Sequence, residues 1–161
     1  MRALGSDRRG LAALEFALIA PVLLMILGGV VDLGLATVGR SRLANGLAQG
    51  VQQALATGPG ISAASIRIFV QNGASRSGLT EPVTVTVSGP ACYCITGSPA
   101  ALGASTPLSA ANACTGTCSP SASGPGAFVV ITASYSYQPI MPLYSTVLST
   151  TVSQTVTARL L

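Results

Sequence analysis

The sequence predicts an α+β protein in which a long N-terminal transmembrane helix continues into an amphipathic helix that packs on a small antiparallel β-sheet. Three observations carry this expectation. An apolar run lies near the N-terminus, helical periodicity continues beyond it, and three later segments place apolar residues at every second position. Composition narrows the reading further. Only 7% of the 161 residues are charged, against about a quarter in soluble domains, so an ordinary aqueous surface is excluded. Eight basic residues, all arginine, face four acids, and there is no lysine, histidine or tryptophan. The commonest general base, the Schiff-base amine and the commonest metal ligand are therefore missing. A non-enzymatic protein without metal or cofactor is expected. The scattered arginines make no nucleic-acid footprint.

The apolar run, LAALEFALIAPVLLMILGGVV from Leu11 to Val31, holds a single charge, Glu15. As a helix it spans roughly 31 Å, enough for a hydrocarbon core. We assign residues 11–39 to a transmembrane helix and residues 1–10 to a basic leader. Arg2, Arg8 and Arg9 outweigh Asp7 there, which predicts a cytoplasmic N-terminus and an extracytoplasmic domain over 40–161. Arg40 and Arg42 weaken that asymmetry without reversing it. A secretory signal peptide cut near Ala36 is the competing reading. The length of the run and the charge at Glu15 argue against it, because an ionisable residue in lipid is rarely without function. Pro21 should bend the helix, Gly28 and Gly29 permit close approach, and Asp32 reads as a solvated boundary residue.

The residues around Glu15 sharpen the picture. Gly10-Leu11-Ala12-Ala13-Leu14-Glu15-Phe16 is a glycine, four apolar residues, a glutamate and an aromatic, preceded by Arg8-Arg9. This resembles the processing site of type IV pilin-like proteins. The wider stretch from Arg8 to Gly34, with Ala20-Pro21 and Asp32-Leu33-Gly34, resembles the TadE-like minor pseudopilins of the tight-adherence (Flp) pilus system. The resemblance is sharp over about the first forty residues and only architectural beyond. It implies cleavage between Gly10 and Leu11 by a prepilin peptidase, and an assembly role for Glu15 and Phe16. It also implies a pilin-like lollipop shape and association with the major Flp pilin, other TadE-like pseudopilins and the inner-membrane pilus platform. The subunit would sit in the bacterial inner membrane as a single-pass protein, either staying there or entering the pilus.

Beyond the bilayer, Leu43, Leu47, Val51, Ala54 and Leu55 predict one apolar helical face, with Arg42, Asn45, Gln49, Gln52 and Gln53 opposite. Gly58-Pro59-Gly60 ends this helix, which would run from Leu11 to Ala56. Ser62 is placed to cap a second helix reaching Asn72-Gly73, although Ile66, Ile68 and Val70 also alternate as a strand would. Val83, Val85 and Val87 alternate with polar residues. So do Val129, Ile131, Ala133, Tyr135 and Tyr137, and so do Val152, Val156, Ala158 and Leu160. These three stretches predict the sheet, with Pro139 and Pro142 marking the connection before the last strand.

Residues 88–126 are rich in Gly, Pro, Ser, Ala and Thr and read as a long loop. It holds Cys92, Cys94, Cys114 and Cys118. An exported chain meets an oxidising compartment, so disulfides are favoured over a zinc site, whose usual spacing Cys92-x-Cys94 does not match. Three connectivities are open, and bridges from Cys92 and Cys94 to the later pair would staple the segment. A redox role lacks a Cys-x2-Cys motif and an activating base. Tyr93, Tyr135, Tyr137 and Tyr144 read as core or rim residues. The functional expectation is a processed, minor pseudopilin-like structural subunit. A membrane-anchored extracytoplasmic binding module that is never processed is the alternative.

Overall fold

The structure is a computed structural model and describes residues 8–96, 101–107, 113–114, 118, 125–141, 146 and 150–160. Arg2 and Asp7 of the leader, together with Pro142 and Tyr144, lie outside the described residues. Helix α1 spans Arg8–Thr57 without a break, and α2 spans Ala63–Arg76. Four strands follow among the described residues: β1 Thr84–Thr96, β2 Ala101–Pro107, β3 Gly126–Ser136 and β4 Thr151–Arg159. They form one antiparallel sheet in the order β2-β1-β3-β4. The predicted α+β architecture is therefore the one observed. The chain divides into two compact units, Met1–Thr37 with Gln138–Thr150, and Val38–Tyr137 with Thr151–Leu161.

In the first unit α1 is apolar almost all round. Leu14, Leu18, Leu23, Leu24 and Leu27 all stand exposed, as expected of a helix whose surroundings are lipid. α1 contains the one described helix long and apolar enough to cross a membrane. Pro21 lies inside it. Its missing N–H leaves the Ala17 carbonyl without a helical donor, a defect that membrane helices tolerate.

The second unit has a conventional core. Leu43, Leu47 and Ala54 of α1 are buried together with Ile66 and Val70 of α2 and Val85, Val129, Ile131, Ala133, Tyr135, Val152 and Ala158 of the sheet. Leu55, expected on the same face, is 51% exposed. It follows Ala54 by one residue, a rotation of about 100° that carries it off the buried stripe. The core row of the sheet is set by register: Ile131 pairs with Val87 on one side and Val156 on the other.

The choice between helix and strand at 63–76 falls to the helix. The Ser62 hydroxyl accepts from the Ser65 N–H at 3.1 Å, satisfying one free donor of the first turn. Ile66 and Val70, four residues apart, share the buried face, whereas Ile68 points outward. α1 and α2 meet through glycine. A Cβ on Gly46 would lie 2.7 Å from the Val70 carbonyl oxygen and 2.8 Å from the Ala74 nitrogen. α2 is also tied to β1 and the residue before it, since Arg67 Nε donates to the Val85 carbonyl at 3.1 Å and Gln71 Nε2 to the Val83 carbonyl at 3.0 Å.

The region 88–126 departs from the expected long loop. β1 continues through it to Thr96, and β2 lies wholly inside it. Pairing along both edges of β1 overrides the Gly-Pro interruption at Gly89-Pro90, where the register shifts between Ser88 and Ala91. Two disulfides, Cys92–Cys114 and Cys94–Cys118, join β1 to the segment leading into β3. They leave no free cysteine.

The α1–α2 contact generates a stability prediction. Gly46→Ala sets a methyl group against backbone atoms that cannot rotate away, and should cost about 1–3 kcal/mol. Thermal unfolding of the detergent-solubilised protein, followed by circular dichroism, should show the lowered midpoint.

Candidate functional site on the N-terminal helix

Three features of the first unit, all on one helix, make the candidate site. Gly10 lies in the first turn of α1, exposed, and a Cβ there would meet open space. The backbone of Leu11 is helical, and its side chain lies outside the described residues. Glu15 is exposed one turn further along, and Phe16 beside it is 69% exposed. Around them Leu14, Leu18 and Ile19 also face outward. The carboxylate thus projects from an otherwise apolar surface. Such a position is costly in lipid unless the side chain reaches the interface or meets a cation.

Asp32 behaves differently from the solvated boundary residue expected. Its exposure is 0%. Oδ1 accepts the Ile140 N–H at 2.8 Å and Oδ2 accepts the Met141 N–H at 3.3 Å. The carboxylate therefore serves as acceptor for two consecutive N–H groups of a turn that lies outside the strands and helices. One turn earlier, the Met141 side chain covers Gly28, and any Cβ at that position would overlap its Sδ and Cε atoms. Gly28 makes a close approach, and the side chain it meets is that of Met141. Nothing in local sequence marks Asp32 as buried. The available signal is distant, an uncharged Gln138-Pro139-Ile140-Met141 turn more than a hundred residues later.

In the second unit, the tyrosines serve mainly as packing. The Tyr135 ring is buried with its hydroxyl over Gly39. That hydroxyl has no hydrogen-bond partner among the described residues. Burial raises its pKa above the ordinary 10.0; Arg40 and Arg42 pull it down, while Glu81 adds to the rise. Tyr93 meets Phe128 edge-on at 6.3 Å, and the Arg159 guanidinium lies 5.9 Å from the same ring. Tyr137 packs against the core. An open groove of about 650 Å³ runs between Ala44, Leu47, Ala48 and Val51 of α1 and Gln154–Val156 of β4. Its lining carries no titratable group. Among the described residues no cluster of three or more Cys, Asp or Glu is placed to hold a metal ion.

A single long apolar helix followed by a small antiparallel α+β unit is consistent with a single-pass membrane anchor. The N-terminal segment is more specific: residues 10–52 match the TadE-like protein family. The match takes in Gly10, Glu15 and Asp32 and ends within the amphipathic half of α1. Over that stretch the chain is similar to TadE-like proteins. No curated protein and no solved structure matches the chain.

Removing the Asp32 carboxylate should free the turn it holds. Asp32→Ala leaves two N–H groups without acceptors, a loss of about 1–3 kcal/mol for each that stays buried. Limited proteolysis in detergent should then cut within 138–150 faster than in the parent protein.

Proposed function

We propose that the protein is a minor pseudopilin-like structural subunit of a tight-adherence pilus or related secretion machine, matured by a prepilin peptidase that cuts between Gly10 and Leu11. The observation that carries this reading is the exposed Glu15 carboxylate on an apolar helix within the TadE-like match. Cleavage would create an α-amine at Leu11, four residues and about 6 Å along the helix axis from Glu15. In the precursor the carboxylate reaches the head-group region by snorkelling. In an assembly it pairs with the new amine of an adjoining subunit. Between apolar helices such a pair fixes register, because a one-turn slip leaves both charges buried and unmatched, a loss of about 3–5 kcal/mol. Phe16 supplies apolar contact beside it. The partners on this reading are the major Flp pilin, other TadE-like pseudopilins and the inner-membrane platform. The N-terminus lies in the cytoplasm and the folded unit outside it.

Sequencing the mature protein from cells with an active peptidase should give Leu11 as the first residue. Recovery of the intact leader would instead favour the unprocessed anchored module. Gly10→Glu should block maturation while leaving the chain in the membrane, visible as retention of the larger species on electrophoresis. Glu15→Ala should insert and be processed normally yet give no pili; normal piliation would remove Glu15 from assembly.

A further inference from the structure

The turn at Ile140-Met141 is fixed against the apolar half of α1 at a definite level. The Met141 side chain covers Gly28, which lies inside the Leu11–Val31 run, and the backbone N–H groups of Ile140 and Met141 reach Asp32 one turn later. Ile140 itself is 67% exposed. The whole segment from Gln138 to Thr150, QPIMPLYSTVLST, contains no charged residue, and it groups with Met1–Thr37 and not with the sheet. Backbone at this level has little water to bond, so its N–H groups need acceptors from the protein. The Asp32 carboxylate supplies them for two consecutive residues. An exposed isoleucine set beside the end of an apolar span continues the same surface that the span presents to lipid.

We propose that the turn Gln138–Met141 is a second membrane contact. Ile140 and Met141 enter the leaflet at the C-terminal end of the span, and Asp32 acts as the positioning residue that satisfies their backbone. The ligand is the upper acyl chain of a phospholipid, just beneath the head groups. The inference rests on α1 crossing the bilayer, and it adds an attachment point that the helix alone does not provide.

The chain has no tryptophan, so one introduced indole reports one place. The full-length protein is reconstituted in phosphatidylcholine vesicles, plain or brominated high on the acyl chain. Three variants are compared: Ile140→Trp, Leu24→Trp in mid-span, and Ile68→Trp on the exposed face of α2. Ile140→Trp should emit to the blue of Ile68→Trp and lose intensity in the brominated lipid, and Asp32→Ala in the same background should reverse both effects. If Ile140→Trp emits like Ile68→Trp and is not quenched while Leu24→Trp is quenched by lipid brominated deep in the chain, the second contact is overturned and the span stands. Blue emission without quenching would mean that protein covers Ile140, which also overturns it. Failure of Leu24→Trp to be quenched would remove the span itself and the proposal with it. An unchanged signal on adding Asp32→Ala would remove the positioning role.

Discussion

One continuous helix has to satisfy two different solvents, and the rest of the chain is arranged around that demand. In its first half α1 keeps its leucines and isoleucines outward, an apolar surface that favours a hydrocarbon setting over water. In its second half Leu43, Leu47 and Ala54 turn to a protein core, and Arg42 donates to the Gly78 carbonyl at 2.8 Å. No loop intervenes between the two regimes. The change from lipid-facing to core-facing is made by side-chain pattern alone, on an unbroken backbone.

Most of this division was legible in the sequence, because the signals are periodic and long. The apolar run, the amphipathic continuation, the helix stop at Gly58-Pro59-Gly60 and the three alternating strands rest on patterns repeated over several residues. Burial of Val129, Ile131, Ala133 and Tyr135 follows that alternation directly. What escaped was non-local. Cys92 and Cys94 sit in a Gly/Pro-rich stretch whose strand character comes from pairing with residues 101–107 and 126–128, not from its own propensity. Asp32 looked solvated because its partners are the N–H groups of Ile140 and Met141, more than a hundred positions away. Glu15 shows the opposite case. Its neighbours in sequence were sufficient to single it out, and its side chain stands exposed on the helix.

The two acids of the apolar region illustrate how the same group serves opposite ends. Asp32 is buried and turned inward, and its oxygens complete the backbone of its own chain. Glu15 stands outward on the helix surface. In a medium that penalises unpaired charge, the first is an internal fastening and the second is open to whatever approaches from outside. On the reading proposed above, the chain spends one carboxylate on itself and offers the other to its assembly.

The strand order carries a consequence for how the protein reaches its native state. The centre of the sheet is the β1–β3 pair, in which Thr84 lies opposite Ser134, so the middle of the sheet waits on closure of a loop of about fifty residues. α1 and α2 are joined by only a few residues and can dock early, whereas the sheet is built from contacts of high sequence separation and should form slowly. During that interval the inner row of β3 has nothing to cover it. A chain newly inserted in a bilayer would then be most vulnerable to aggregation and to proteases, before its hydrogen-bonded ladder is complete.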